Sequence, residues 1–295
     1  MKPLVSIIIP THNGSKTLKR AVDSAVCQSY KYVEVIVVDD NGYDSYEQRK
    51  TALVMKDYER RRNVYYVCHT RNKNGSAARN TGVCFSRGDF IALLDDDDFY
   101  YHDNIEKQMN VFMHLPKEYG ATYCSFDKYQ NEKKLCTVMA RKSGMLLYDV
   151  LMHSFSIGSS SLVVRRNVWD DLDGFDESFK RHQDWEFVAR IANGYKIQAV
   201  ENVGYRHNLL FRNSATNANL YKEYREYYLN KMYPIIMKLS CLQRKNIIVS
   251  NRFSIALQFL KEKKIFVFLC ECWKIGCFDR ILYFFIKRVF QKKNV

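Results

Sequence analysis

Four consecutive aspartates, Asp95, Asp96, Asp97 and Asp98, close the apolar run Phe90-Ile-Ala-Leu-Leu94. Like charges this close repel and raise one another's pKa unless a cation neutralises them. Oxygen-only ligands suit hard ions, Mg²⁺ or Mn²⁺, which take one or two carboxylates together with the phosphates of a substrate. The pattern therefore points to a divalent metal bridging a diphosphate. The plainer alternative is a solvated acidic turn at a helix start. Two further polar clusters follow apolar runs: Pro10, Thr11, His12 and Asn13 after Val5-Ser-Ile-Ile-Ile9, and Asp39, Asp40, Asn41 and Gly42 after Val33-Glu-Val-Ile-Val-Val38.

The elements that must position these residues alternate. Continuous apolar runs at 5–9, 33–38, 64–68 and 90–94 suit buried parallel strands. Between them lie helical patterns: Leu18, Ala21, Val22, Ala25 and Val26 at i, i+3, i+4, i+7 and i+8, a polar stretch to about residue 60, a short helix near 76–85, and another through 105–115. Repeated strand–helix–strand units predict an α/β class with a mainly parallel sheet flanked by helices. Ligands of such sheets bind where loops converge at the carboxyl ends of strands. All three polar clusters lie there.

Five segments carry a resemblance: Val5-Ser-Ile-Ile-Ile-Pro-Thr-His-Asn13, Val37-Val-Asp-Asp40, Asn74-Gly-Ser-Ala-Ala-Arg-Asn-Thr-Gly82, Leu94-Asp-Asp-Asp-Asp98, and Gly174-Phe-Asp-Glu177 followed by Gln183-Asp-Trp-Glu186. In this order they resemble glycosyltransferase family 2 over about residues 4–212. The resemblance implies a GT-A fold, Rossmann-like, and an inverting transferase dependent on a nucleotide sugar, with UDP-sugar the donor class and a glycan or lipid-linked saccharide the acceptor, as in cell-surface polysaccharide assembly. It implies that Pro10, Thr11, His12 and Asn13 line the nucleotide pocket, that Asp40 accepts from the base, that Arg79 contacts the nucleotide, and that Asp95 and Asp96 hold ribose and nucleotide. Asp97, with His207, becomes the ligand of Mn²⁺ or Mg²⁺; Arg206 and Arg212 are alternative clamps for the diphosphate. Asp184 becomes the general base that deprotonates the acceptor hydroxyl. Gln183, where the family usually has Glu, and Trp185 fall at the acceptor. Gly158-Ser-Ser-Ser161 resembles the strand entry beside that site.

Charge divides the chain. Residues 205–295 hold 18 Lys and Arg against 5 Asp and Glu, a surplus of 13 within a net charge of +14. A catalytic domain is expected at 1–215, with a nucleotide half at 1–100 and an acceptor half at 101–215, and a basic, aromatic-rich helical extension at 216–295. Phe278, Ile281, Leu282, Phe285, Ile286 and Val289 share one side of a helix with basic residues opposite, which suits contact with an anionic membrane surface. Packing on the same domain, or against a second copy in a homodimer, is the alternative. Nine cysteines without a C-x-x-C pair read as reduced, buried thiols. No apolar run reaches a membrane-spanning length, so the expected location is the cytoplasm, peripheral to the inner face of the membrane. Two other classes compete: a nucleic-acid- or membrane-binding protein without transferase activity, which lacks a named nucleic-acid motif, and a sugar nucleotidyltransferase, which would carry a Gly-rich loop where Pro-Thr-His-Asn stands. No nucleic-acid partner is expected.

Overall fold

The computed structural model describes residues 2–209, 217–276, 280, 281 and 283. Arg212 and most of the 278–293 segment lie outside them. The chain divides into two compact units, one formed by residues 1–146 and 156–210, the other by 147–155 and 211–295.

In the first unit β1 (Val5–Thr11), β2 (Val33–Asp39), β3 (Val64–Cys68) and β4 (Phe90–Leu93) are parallel neighbours. β1 and β2 are buried almost throughout, as strands covered on both faces must be. Their crossovers are α1 (Ser15–Val26), α2 (Tyr46–Met55) with a 3₁₀ turn after it, and α3 (Gly75–Cys84). α1 buries Leu18, Ala21, Val22 and Ala25, the set its spacing predicts. Glu34, within β2, is buried but bonded by Ser6 Oγ at 2.8 Å and by Arg87, which satisfies its charge.

The second half of the sheet is built differently. It contains β5 (Phe99–Tyr100), β6 (Tyr119–Gln130), β7 (Lys133–Val138), β8 (Leu162–Arg165) and β9 (Lys196–Asn208), with α4 (Asn104–Phe112), α6 (Arg166–Asp171) and α7 (Gln183–Gly194). Here β8 runs antiparallel to β4 and β6, whereas β9 runs parallel to β6 and antiparallel to β5. Among the described residues the sheet order is β3-β2-β1-β4-β8-β6-β9-β5, with β7 on β6. The parallel part follows the expectation, and the sheet as a whole is mixed.

The second unit is helical: α5 (Leu147–Leu151), α8 (Ala218–Ile236), α9 (Cys241–Lys261) and α10 (Ile265–Ile275). Asn217 caps α8, and Ser240 with Gln243 forms a capping box on α9. Val249, Phe253, Ala256 and Cys272 form a small core with Met152, Leu257 and Phe268 around it. Arg225, 4% exposed, bonds His153 Nε2 at 3.0 Å and Ser254 Oγ at 3.2 Å. Among the described residues no helix is long and apolar enough to cross a membrane. The eight described cysteines are free, and Cys27, Cys84, Cys241 and Cys270 are exposed, which corrects the expectation of buried thiols.

Candidate functional site

The turn at 95–98 leaves β4 at its carboxyl end, beside the corresponding ends of β1 and β2. Three of the four carboxylates there have their own donors. Thr11 Oγ1 donates to Asp96 Oδ2 at 2.6 Å, Ser159 Oγ to Asp95 Oδ2 at 2.7 Å, and Ser160 Oγ to Asp98 Oδ2 at 2.7 Å. Ser160 Oγ also accepts from the Asp95 N–H at 3.1 Å. The serines of 158–161 therefore hold the acidic turn, a role the sequence reading did not assign. Gly14 is required on the other side, because a Cβ there would lie 1.6 Å from Asp96 Oδ2. His12 and Asn13 are exposed at the rim and Pro10 is half-buried; the Asn13 N–H donates to Asn41 Oδ1 at 2.7 Å, joining the loops after β1 and β2.

Asp40, 2% exposed, accepts from the N–H groups of Lys73 (2.8 Å) and Asn74 (2.9 Å), from Asn72 Nδ2 (3.0 Å), and pairs with His69 Nδ1 (2.7 Å). Four donors fill the lone-pair sites of one carboxylate. Asp40 thus orders the 72–74 loop that leads into α3, and contact with a base requires one of these donors to be exchanged. His69, buried and bonded on its other nitrogen to Thr81 Oγ1 at 2.9 Å, completes the network.

α3 links the donor-side turn to the last two motifs. Asn74 caps it by accepting from the Ser76 and Ala77 N–H groups, and its Nδ2 donates to Glu177 O at 2.8 Å. Asn80 exchanges two bonds with the Phe175 backbone, at 2.8 and 2.9 Å. Arg79 donates to Asp95 Oδ1 at 2.6 Å and to Gln183 Oε1 at 3.2 Å. Gln183 also donates to Phe179 O at 2.8 Å, so its side chain is a brace at the start of α7. Arg79 Nε is buried without a hydrogen-bond partner among the described residues. Further along α7, buried Glu186 pairs with Arg190, which donates to Leu172 O and Gly174 O. Gly174 itself has φ +61, and a Cβ there would meet Asn80 Oδ1 at 2.5 Å.

Asp184 sits in the first turn of α7, half-buried. Burial raises its carboxyl above the usual range; Arg79 and its own and Trp185's N–H groups oppose that shift without cancelling it, and Asp95 adds to it. Burial also acts to raise Asp95, but the Arg79 charge and the Ser159 bond hold that carboxyl below its ordinary value. Arg79 acts to lower both carboxyls, yet burial leaves Asp184 raised while Asp95 is held down. Trp185 is not among the buried residues of α7. Phe187, Val188, Ala189, Ile191 and Ala192 are buried, while Trp185 stacks on His182 at 3.9 Å.

His207 and Arg206 point to opposite faces of β9, as successive strand residues do. His207 Nδ1 lies 3.1 Å from Asp98 Oδ1. Burial pulls its pKa down, but the Asp98 bond and the charges of Asp98, Asp95 and Asp97 outweigh it and the group is raised. Arg206 turns away: it stacks on Tyr129 at 3.8 Å, meets Glu132 at 2.5 Å, and its Nε donates to Asn208 Oδ1 at 2.8 Å. Asn208 in turn donates to Asp97 O at 2.6 Å and, through its N–H, to Asp98 Oδ1 at 3.0 Å. Arg206 therefore supports the acidic turn from behind. A histidine whose Nδ1 is taken by a carboxylate presents Nε2 as a ligand. Among the described residues no group of three His, Cys, Asp or Glu side chains could hold a metal. The donor set of Asp97 and His207 fits an ion that takes the rest of its shell from phosphates and water.

Residues 6–171 match the family model described as glycosyl transferase family 2. An uncharacterised glycosyltransferase of Rickettsia bellii is 33% identical over 202 residues, 65% of this chain and 28% of that protein. One from Rickettsia typhi is 30% identical over 225 residues, 73% of this chain and 65% of that one. The chain thus spans less than two thirds of either relative. The amylovoran biosynthesis glycosyltransferase AmsB of Erwinia amylovora is 23% identical, with 88% and 85% of the two chains covered. Among solved structures, S. aureus TarS in complex with UDP-GlcNAc shares the fold at TM-score 0.62 and 15% identity, covering 94% of this chain and 92% of that one. The Pyrobaculum calidifontis mannosyltransferase PcManGT, in complex with GDP-Man and Mn²⁺, does so at 0.56 and 18%, covering 96% and 75%. The family match covers more than half of the chain and includes the β1, β2, α3 and β4 motifs whose side chains meet at one sheet edge; this protein belongs to glycosyl transferase family 2.

Proposed function

We propose that this chain transfers a sugar, with inversion, from a nucleotide diphosphate donor of the UDP-sugar class to a hydroxyl of a glycan or lipid-linked saccharide. The observation that carries the reading is the Asp95–Arg79–Gln183 bridge, which fastens the acidic turn to the helix start bearing Asp184. In this reading Asp184 takes the proton of the acceptor hydroxyl as it attacks the anomeric carbon, and the raised pKa makes it a better base than an ordinary aspartate. Arg79, with a buried Nε lacking a partner among the described residues, turns to the donor when it binds. Thr11, the rim residues His12 and Asn13, and Asp96 border the nucleotide.

Asp97 and His207 would hold Mn²⁺ or Mg²⁺. Such an ion supplies charge neutralisation to the departing diphosphate. Among relatives of similar fold, TarS binds UDP-GlcNAc and PcManGT binds GDP-Man with Mn²⁺, which supports a nucleotide-sugar donor here. Thermal stabilisation by a panel of UDP- and GDP-sugars, with and without Mn²⁺, tests the donor class. A UDP-sugar should stabilise the chain only with metal present. Stabilisation by GDP-sugars alone, or by none, would refute the UDP assignment.

A further inference from the structure

α10 carries apolar residues over more than half of its circumference. At about 100° per residue, Phe268, Cys272 and Ile275 fall together, and they pack with Val249, Phe253 and Ala256. Continuous with these on the helix surface, Ile265, Leu269, Trp273, Phe266 and Cys270 face solvent: Phe266 is 85% exposed and Trp273 75%. One apolar arc suffices to dock a helix on its own unit. The aromatic remainder left in water marks an interaction surface.

Charge identifies that partner. Lys261, Lys263 and Lys264 precede the stripe and Lys274 stands at its far end, all exposed. Glu262 pairs with Lys264 at 2.8 Å, and Glu271 with Lys222 and Lys274 at 2.8 and 3.0 Å, so Lys261 and Lys263 carry the surplus beside the stripe. Residues 217–276 hold 11 Lys and Arg against 4 Asp and Glu. A second copy of the chain fits poorly. A stripe on an 11-residue helix is roughly 16 Å long, with a footprint far below the ~800 Å² per partner of a stable interface, and like charges would meet across it. The same length is about half a bilayer core, so the helix can lie in an interface but not cross it.

We propose that α10 inserts its Ile265, Phe266, Leu269 and Trp273 stripe into the headgroup layer of an anionic lipid bilayer, with the flanking lysines at the lipid phosphates. Lysine stems reach along apolar surface while their ammonium groups stay at the phosphates, and the Trp273 indole suits the boundary between headgroups and acyl chains. This inference stands apart from sugar transfer and is tested without it.

The test is flotation of the full chain with vesicles of phosphatidylcholine alone and of phosphatidylcholine mixed with phosphatidylglycerol. The wild type should float with the mixed vesicles and lose most binding in high salt. Phe266→Ser/Trp273→Ser should bind at least about tenfold more weakly, and Lys263→Glu/Lys264→Glu should lose the preference for the anionic lipid. Because all four side chains are exposed, unchanged far-UV circular dichroism serves as the folding control. Quenching of tryptophan fluorescence by brominated lipid should occur in the wild type and fall in Trp273→Phe. Equal flotation by the Phe266→Ser/Trp273→Ser variant, or binding indifferent to phosphatidylglycerol, would overturn the proposal. So would a wild-type dimer that this variant converts to monomer while neither floats.

Discussion

Replacing Gly14 by alanine isolates the packing of the acidic turn from its chemistry. Gly14 has φ −106 and ψ 7, a conformation alanine adopts, so backbone strain contributes nothing. The added Cβ would sit 1.6 Å from Asp96 Oδ2, 2.4 Å from its Cγ and 2.7 Å from Thr11 Oγ1. Asp96 must rotate away. Its 2.6 Å bond from Thr11 is then lost, at about 1.5–3 kcal/mol for a hydrogen bond to a charged group. A displaced rotamer adds about 0.5–1.5 kcal/mol, and the stiffer unfolded chain returns about 0.4–1 kcal/mol. Gly14→Ala should therefore lower stability by about 1.5–3.5 kcal/mol, read in urea unfolding as a lower midpoint with an unchanged slope. Removing the obstructed carboxylate separates the causes: in the Asp96→Ala background the same substitution should cost under about 0.5 kcal/mol, a coupling of ~1–3 kcal/mol. A Gly14→Ala protein as stable as the wild type, or additive effects in the double variant, would show that Thr11 and Asp96 are not held as described.

The other predictions address the site and its supports. Asn208→Ala removes the donor to the Asp97 carbonyl and the acceptor of Arg206 Nε; Mn²⁺ affinity in a titration should fall about 10–100-fold if Asp97 is a metal ligand, and stability by about 1–3 kcal/mol. Arg190→Met leaves Glu186, 3% exposed, as an unpaired buried charge and should destabilise by about 3–5 kcal/mol in urea unfolding. Because burial raises the Asp184 carboxyl and the base must be ionised, kcat/KM should fall as pH drops through that raised pKa, above the ordinary value of 3.8; a profile flat down to that value would remove Asp184 from the reaction.

Legibility in the sequence followed the physics of each element. β1 and β2 were readable because strands buried on both faces are continuous apolar runs. The far half of the sheet was not, because strand order there depends on pairings such as β8 with β4 and β5 with β9, which no local pattern encodes. The motif residues were visible as types at strand ends, but their supports were not. Ser159 meets Asp95 across 64 positions, and Asn208 meets Asp97 across 111; only folding joins such pairs. Trp185 shows the limit of periodicity. It stands at i, i+3, i+4 and i+7 with Val188, Ala189 and Ala192, which are buried, yet it is not buried with them and stacks on His182 at the helix entry. Asp40 shows a second limit, since a carboxylate after a strand is equally apt for a ligand and for the loop that it orders.

Sugar transfer through Asp184 is tested most directly by single-turnover release of UDP from a UDP-sugar that binds with Mn²⁺, comparing the wild type with Asp184→Asn. Loss of the base should slow transfer by about 10²–10⁴-fold, while donor affinity stays within about threefold because Asp95, Arg79 and Asp97 remain. Equal rates in the two proteins, or a variant that fails to bind the donor while still folded, would contradict the assignment of Asp184 as the base.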